Sequence, residues 1–212
     1  MMVRVKICGI TNWTDARLSV DAGVDALGFN FFEKSPRYIT PADARTIVRR
    51  LPRHILTAGV FVNAEFAVVL RIARDVDLNV LQLHGDESPA DVGELSDYYP
   101  VMKAFRMRHG FDLKRLARFG AADAFLLDGF DRKQRGGTGR TFDWRMGRAA
   151  KKYGPVVIAG GLTPDNVADA IAQTDPFAVD ICSGVEARPG KKDRQQLNAL
   201  MNAVKSTRKH RA

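Results

Sequence analysis

Val3-Arg4-Val5-Lys6-Ile7-Cys8-Gly9-Ile10-Thr11 opens the chain with an apolar run that stops at a thiol and a glycine, and so reads as a first strand ending at Cys8. Much later, Phe125-Leu126-Leu127-Asp128-Gly129 repeats the arrangement, a buried run closed by an ionisable side chain and a glycine. Short β-branched or apolar runs of this kind recur along the chain, at residues 3–8, 25–29, 55–62, 79–84, 101–105, 124–128, 156–159 and 177–181. Longer amphipathic stretches follow each of them, at 14–22, 41–50, 64–74, 89–95, 111–118, 143–153, 164–173 and 193–205. Such alternation implies a parallel sheet. Eight βα units favour a closed barrel over an open doubly wound sheet, which would usually carry a Gly-rich dinucleotide fingerprint after its first strand. Gly9-Ile10-Thr11 does not supply one. The expected fold is therefore α/β, a single-domain (β/α)8 TIM barrel over residues 1–204, followed by a basic C-terminal tail at 205–212. Taken singly, a buried cysteine and a turn-forming aspartate are commonplace. Their shared place at strand ends, where such barrels carry catalytic groups, singles out Cys8 and Asp128.

Composition bounds the rest. With 212 residues and 45% hydrophobic content the chain can bury a large core without covalent staples. Two cysteines, Cys8 and Cys182, are too few for a disulfide framework and lack metal-ligand spacing, so reduced thiols in the cytoplasm are expected. No apolar stretch approaches the roughly 20 residues of a membrane span, and neither a membrane anchor nor a secretory signal is expected. The formal charge of +9 invites a nucleic-acid reading, yet four of those charges lie in Lys205-Ser206-Thr207-Arg208-Lys209-His210-Arg211 and the others are scattered among acids on helical faces. No nucleic-acid-binding motif accompanies them, so a small anionic substrate is the expected partner, with no specific nucleic acid and no membrane. The chain is expected to be a monomer or a homodimer.

Strand periodicity groups the side chains further, because residues two apart share a face. If Cys8 points into the barrel mouth, Lys6 points inward beneath it, and Gln82 with His84, Leu126 with Asp128, and Asp180 with Cys182 form similar inward pairs. A buried lysine and a buried aspartate need partners, which predicts an ion pair between Lys6 and Asp180. Helix starts are signalled at Thr40-Pro41 and Thr163-Pro164, where a capping hydroxyl precedes a proline suited to the first turn.

Two glycine corners, Ala159-Gly160-Gly161-Leu162 and Ser183-Gly184-Val185-Glu186, follow the last two strands. In barrels these loops often bind phosphate, since glycine lets backbone N–H groups approach a ligand. That makes Gly160, Gly161, Ser183 and Gly184 candidate phosphate-binding residues. Gly136-Gly137-Thr138-Gly139 lacks the ending of a P-loop and reads as a mobile lid. Arg37, in Ser35-Pro36-Arg37, has a fork that matches a carboxylate, and His84 at the end of the fourth strand would line the same mouth.

In order along the chain, these blocks resemble the phosphoribosylanthranilate isomerase family: Lys6-Ile7-Cys8-Gly9-Ile10-Thr11, Gly28-Phe29-Asn30-Phe31, Ser35-Pro36-Arg37-Tyr38, Gly59-Val60-Phe61-Val62-Asn63, Leu81-Gln82-Leu83-His84-Gly85, Leu126-Leu127-Asp128, Gly136-Gly137-Thr138-Gly139, Phe142-Asp143-Trp144, Ala159-Gly160-Gly161-Leu162 and Asp180-Ile181-Cys182-Ser183-Gly184-Val185-Glu186. The resemblance implies an Amadori rearrangement that uses no metal or organic cofactor. It further implies Cys8 as general base, Asp128 as general acid, Arg37 on the anthranilate carboxylate, and the two glycine corners on the phosphate. Two alternatives stand beside it: another aminoaldose–ketose isomerase on the same barrel, whose two aspartates would leave Cys8 unexplained, and a binding protein without turnover. The tail after Lys205 lies outside the matching blocks.

Overall fold

Eight parallel strands close on themselves: β1 (Arg4–Cys8), β2 (Ala26–Asn30), β3 (Leu56–Phe61), β4 (Val80–Leu83), β5 (Val101–Arg106), β6 (Ala124–Asp128), β7 (Val156–Ala159) and β8 (Ala178–Ile181), with β8 hydrogen-bonded back to β1. Alternating with them are α1 (Trp13–Ala22), α2 (Pro41–Val48), α3 (Phe66–Val76), α4 (Pro89–Ser96), α5 (Trp144–Ala150), α6 (Val167–Thr174) and α7 (Arg194–Lys209). The structure, a computed structural model, describes residues 3–108, 110–129 and 143–209. The Gly136-Gly137-Thr138-Gly139 segment read as a lid lies outside them.

Three departures from the expected helices have local causes. The fifth helical position, expected over 111–118, holds a 3-10 helix, Leu113–Phe119, whose apolar residues Leu113, Leu116 and Phe119 repeat every third residue and so form one stripe at three residues per turn. α6 begins at Val167 rather than at Pro164, and Thr163 is not its cap. Instead Asn166 turns back, accepting from Thr163 N (2.8 Å) and donating to the Gly161 carbonyl (2.9 Å), which fastens the glycine corner after β7. α7 runs on to Lys209, so residues 205–209 of the basic stretch are helical, although its core-packing residues Leu197, Leu200, Met201 and Val204 end before them. Thr40 does cap α2 as expected, accepting from Asp43 N ahead of Pro41.

Alternation along each strand divides the core in two. Alternate residues, among them Val5, Ile7, Leu27, Phe29, Leu81, Phe125 and Ile158, pack outward under the helices, the doubly covered arrangement that makes parallel strands read as continuous apolar runs. Inside the barrel a second, smaller cluster comprises Met102, Ala104, Leu126, Val157, Ala159 and Ala178. Ala58 and Val60 also face inward from β3, and the interior carries the buried polar side chains Lys6, Gln82 and Asp180. At the lower rim, the residues just before β2, β4 and β6 satisfy the starts of the preceding strands: Asp25 accepts from Val5 N (2.7 Å), Asn79 from Thr57 N (2.8 Å) and Asp123 from Val101 N (2.8 Å).

A buried ion pair fixes the loop that carries His84. Lys103 Nζ, on β5, donates to Glu87 (2.9 Å) and to the Gly85 carbonyl (2.9 Å), while the Glu87 carboxylate accepts from the backbone N–H groups of Asn63 and Gly85. Breaking a buried pair from one side strands the other charge, at a cost of about 3–5 kcal/mol. Lys103→Met should therefore lower the free energy of unfolding, measured by urea denaturation at neutral pH, by about that amount, with Lys103→Met/Glu87→Gln recovering part of it. A single-variant loss below about 1 kcal/mol would show that the pair is dispensable.

Candidate active site

Cys8 ends β1 and its thiol lies inside the barrel mouth beside Lys6. A Cβ built on Gly28 of the neighbouring strand would stand 2.8 Å from Cys8 Sγ and 2.9 Å from Lys6 Nζ, so it is the missing side chain of Gly28 that lets thiol and ammonium meet. Lys6 Nζ also donates to both oxygens of Asp180 at 2.9 Å, the pairing that strand parity predicted, across the β1–β8 register Lys6↔Asp180. Burial alone would discharge this lysine, but the charges of Asp180 and Cys8 overcome that and raise its pKa. Burial likewise pushes Asp180 up to about 6, with the Cys8 charge adding to it and Lys6 opposing, which leaves the carboxylate ionised at neutral pH.

The Cys8 thiol is held well below the ordinary thiol range. A hydrogen bond from the Cys182 thiol is the largest cause; burial opposes it, and the ammonium charges of Lys6 and Lys192 add to it. Cys182 itself is pushed up by the same contact and by burial, so it stays protonated, and its Sγ also donates toward Glu186 Oε1 at 3.9 Å. The pair follows from topology: Ile7 is in register with Ile181, which sets the next residues of both strands side by side at the mouth. Cys182→Ala should consequently move the pH profile of Cys8 alkylation by iodoacetamide upward, each unit cutting the thiolate fraction about tenfold at pH values well below the midpoint. The variant retains a single cysteine, so the label is unambiguous, and an unshifted profile would remove Cys182 from the account.

Across the mouth, Asp128 ends β6 and is half-buried, with Oδ2 3.1 Å from His84 Nε2. The other ring nitrogen, Nδ1, is 2.9 Å from Gln82 Nε2, which is itself buried in the barrel. His84 thus sits where the sequence placed it, but its neighbours are Asp128 and Gln82.

Arg37 packs its stem over Gly9, where a Cβ would lie 2.7 Å from Arg37 Cδ, and so borders the Cys8 end of the mouth. Its fork is already engaged: Nε donates to both oxygens of Glu186 (2.9 and 3.1 Å) and Nη2 to Oε2 (2.6 Å). Among the described residues Nη1 makes no hydrogen bond, so a substrate carboxylate would meet that edge rather than the Nε side. Lys192 completes the network from beneath, donating to Glu186 Oε1 (2.9 Å) and to the backbone carbonyls of Cys8 (2.6 Å) and Cys182 (3.2 Å). Burial works against the Glu186 carboxylate, yet Arg37 and Lys192 hold it below the usual range. Lys192 and Glu186 belong to a small hairpin after β8, β9 (Glu186–Arg188) and β10 (Lys191–Lys192), that the sequence reading missed. The Pro189-Gly190 dipeptide between them was the available signal.

The two glycine corners meet. Gly160 and Gly161 have φ of +85° and +67°, and a Cβ on Gly184 would collide with the Leu162 carbonyl oxygen, so the loops after β7 and β8 pack on each other at the same end of the barrel. Ser183 opens a 3-10 turn, Ser183–Val185, beside them. Cys8, Asp128, His84, Arg37, Gly160, Gly161, Ser183 and Gly184 all lie at or beyond the C-terminal ends of strands, facing one mouth. A cavity of about 520 Å³ lined by Arg4, Pro155 and Phe177 opens at the opposite end, away from these groups. Among the described residues no group of three or more His, Cys, Asp or Glu is placed to hold a metal ion, and no helix is long and apolar enough to cross a membrane.

Residues 5–203 match the family model described as N-(5'phosphoribosyl)anthranilate (PRA) isomerase. An N-(5'-phosphoribosyl)anthranilate isomerase of Citrifermentans bemidjiense is 50% identical over 204 residues, covering 96% of this chain and 98% of that protein. Among solved structures, phosphoribosyl anthranilate isomerase from Thermotoga maritima superposes with a TM-score of 0.90 at 43% identity, covering 97% of this chain and all of that one. A phosphoribosyl anthranilate isomerase bound to reduced 1-(o-carboxyphenylamino)-1-deoxyribulose 5-phosphate gives 0.87 at 42% identity, covering 97% of this chain and 100% of that chain.

Proposed function

The chain belongs to the N-(5'-phosphoribosyl)anthranilate isomerase family and rearranges that aminoaldose to 1-(2-carboxyphenylamino)-1-deoxyribulose 5-phosphate, and we propose that Cys8 and Asp128 are the base and acid that do so. The observation that carries this assignment is the environment of Cys8: a buried thiol flanked by the Lys6 ammonium and the Cys182 thiol is stabilised as thiolate, the form a general base requires. An ordinary thiol, with a pKa near 8.5, would be mostly protonated at neutral pH.

The reaction divides between the two groups. Asp128 delivers its proton to the ribose ring oxygen, and the anthranilate nitrogen lone pair opens the C1–O bond to give an iminium. Cys8 thiolate then takes the proton from ribose C2, and the C–H electron pair moves toward nitrogen to give an enaminol, which tautomerises to the ketone. Cys8 ends this step as a neutral thiol, with Lys6 and Cys182 positioned to restore the thiolate when its proton leaves. The substrate phosphate is held by the paired corners at Gly160, Gly161, Ser183 and Gly184, and the anthranilate carboxylate by the Nη1 edge of Arg37. Glu186 and Lys192 keep that arginine aimed, which also explains why a cation beside the mouth is tied to an acid.

Conversion of the aminoaldose, followed by the change in anthranilate fluorescence, measures the activity directly. Arg37→Ala should weaken binding of product analogues that bear the carboxylate about tenfold or more, in keeping with a charge-assisted hydrogen bond of about 1.5–3 kcal/mol, while analogues lacking it change little. Equal losses for both kinds would leave Arg37 a packing role through Glu186. We also assign the barrel to residues 1–204 and residues 205–212 to a basic C-terminal tail, and place the enzyme in the cytoplasm, where a thiolate base stays reduced.

A further inference from the structure

Gln82 is a buried polar side chain of the mouth to which neither substrate binding nor proton transfer has given a part. It points into the barrel from β4, is 1% exposed, and its Nε2 lies 2.9 Å from His84 Nδ1. His84 Nε2 lies in turn 3.1 Å from Asp128 Oδ2. The amide oxygen, Gln82 Oε1, is buried without a hydrogen-bond partner among the described residues. A buried polar atom left unmet costs about 1–3 kcal/mol, so the amide's orientation has to be held by what its other end does.

An amide NH2 has only donors, so its bond to the ring requires a lone pair on Nδ1. A neutral imidazole that accepts at Nδ1 carries its proton on Nε2 and aims it at Asp128. With a proton on Nδ1 instead, donor would face donor at 2.9 Å. We propose that Gln82 is a positioning residue of the isomerase, whose buried amide fixes His84 as the Nε2–H tautomer so that the ring donates to the Asp128 carboxylate formed when the acid gives up its proton. This rests on the reading of Asp128 as the acid. It adds a reason for His84 at the mouth that needs no contact with substrate: the ring stabilises the charge that appears on Asp128 as the ribose ring opens.

The test uses two variants, Gln82→Glu and Gln82→Met, in protein labelled with 15N at histidine. The ring nitrogen shifts of His84, assigned through loss of its signals in His84→Gln, should report Nε2–H in the unaltered enzyme. Gln82→Glu presents oxygen acceptors and should bring a proton onto Nδ1, whereas Gln82→Met releases the ring to a tautomer mixture. Both variants should lower kcat about tenfold, part of the roughly 10² to 10⁴ that general acid catalysis supplies, with KM little changed. The pH profile of Cys8 alkylation should stay as in the parent, since the change acts on the Asp128 side. Should Gln82→Glu fail to fold, the Met variant carries the comparison alone. A proton on Nδ1 in the unaltered enzyme, or variants with parental tautomer and parental kcat, would overturn the proposal, as would a kcat loss accompanied by an altered Cys8 profile. The tautomer reports on Gln82 whatever Asp128 does. Failure of the acid assignment would show instead as full activity in Asp128→Asn.

Discussion

Replacing Cys8 by serine should leave a folded barrel whose kcat is lower by about 10² to 10⁴, the range a general base contributes. The substitution changes one atom, and the smaller oxygen fits wherever the sulfur does, so Lys6, Asp180 and the β1–β8 register keep their places. What is lost is the charge. Lys6, Lys192 and Cys182 together bring a thiol well below its ordinary range, whereas an alcohol starts many units higher and stays neutral at any pH the fold tolerates. Turnover at neutral pH, with circular dichroism as the control on folding, measures the effect. Near-parental turnover in a folded Cys8→Ser enzyme would remove the thiol from the chemistry.

Asp128→Asn should cost kcat a similar factor, about 10² to 10⁴, while KM stays within a few-fold of the parent. The amide has the shape of the carboxyl and keeps an oxygen that can accept from His84 Nε2, so the mouth is preserved; it has no acidic proton to place on the ribose ring oxygen. Steady-state kinetics separates the two quantities. A rise in KM with kcat unchanged would mean that Asp128 binds substrate and that the proton comes from another group.

Much of the mouth could be read from period two alone. Lys6 lies two residues before Cys8, and Asp180 stands at an inward position on the strand that must close the barrel, so parity and the need to pair buried charges were enough to join them. The same parity put Gln82 beneath His84 and Leu126 beneath Asp128. Parity says nothing about lateral register, however, and so it could not show that Cys182 falls beside Cys8 and helps to lower its pKa. Nor could it show that Arg37 would be held by Glu186, 149 positions away, because that contact depends on how the hairpin after β8 folds back so that Gly190 lies against Thr11 and Pro36. Arg37 was rightly placed at the rim. Which edge of its fork Glu186 takes up emerged only in three dimensions. The helical expectations slipped where local sequence is ambivalent, at the three-residue apolar spacing of Leu113, Leu116 and Phe119 and at Thr163-Pro164, where Asn166 uses its side chain on the loop instead of on a helix start.

The division of labour between Cys8 and Asp128 is tested most directly by deuterium at ribose C2. Compare kcat for protiated and C2-deuterated aminoaldose in the parent enzyme, Cys8→Ser and Asp128→Asn. If Cys8 removes the C2 proton and Asp128 opens the ring, the serine variant is limited by C–H cleavage and expresses a full primary isotope effect. The asparagine variant is limited by ring opening, before that bond is touched, and its isotope effect falls toward unity. The reverse pattern, a full effect in Asp128→Asn and none in Cys8→Ser, would contradict the assignment of base and acid.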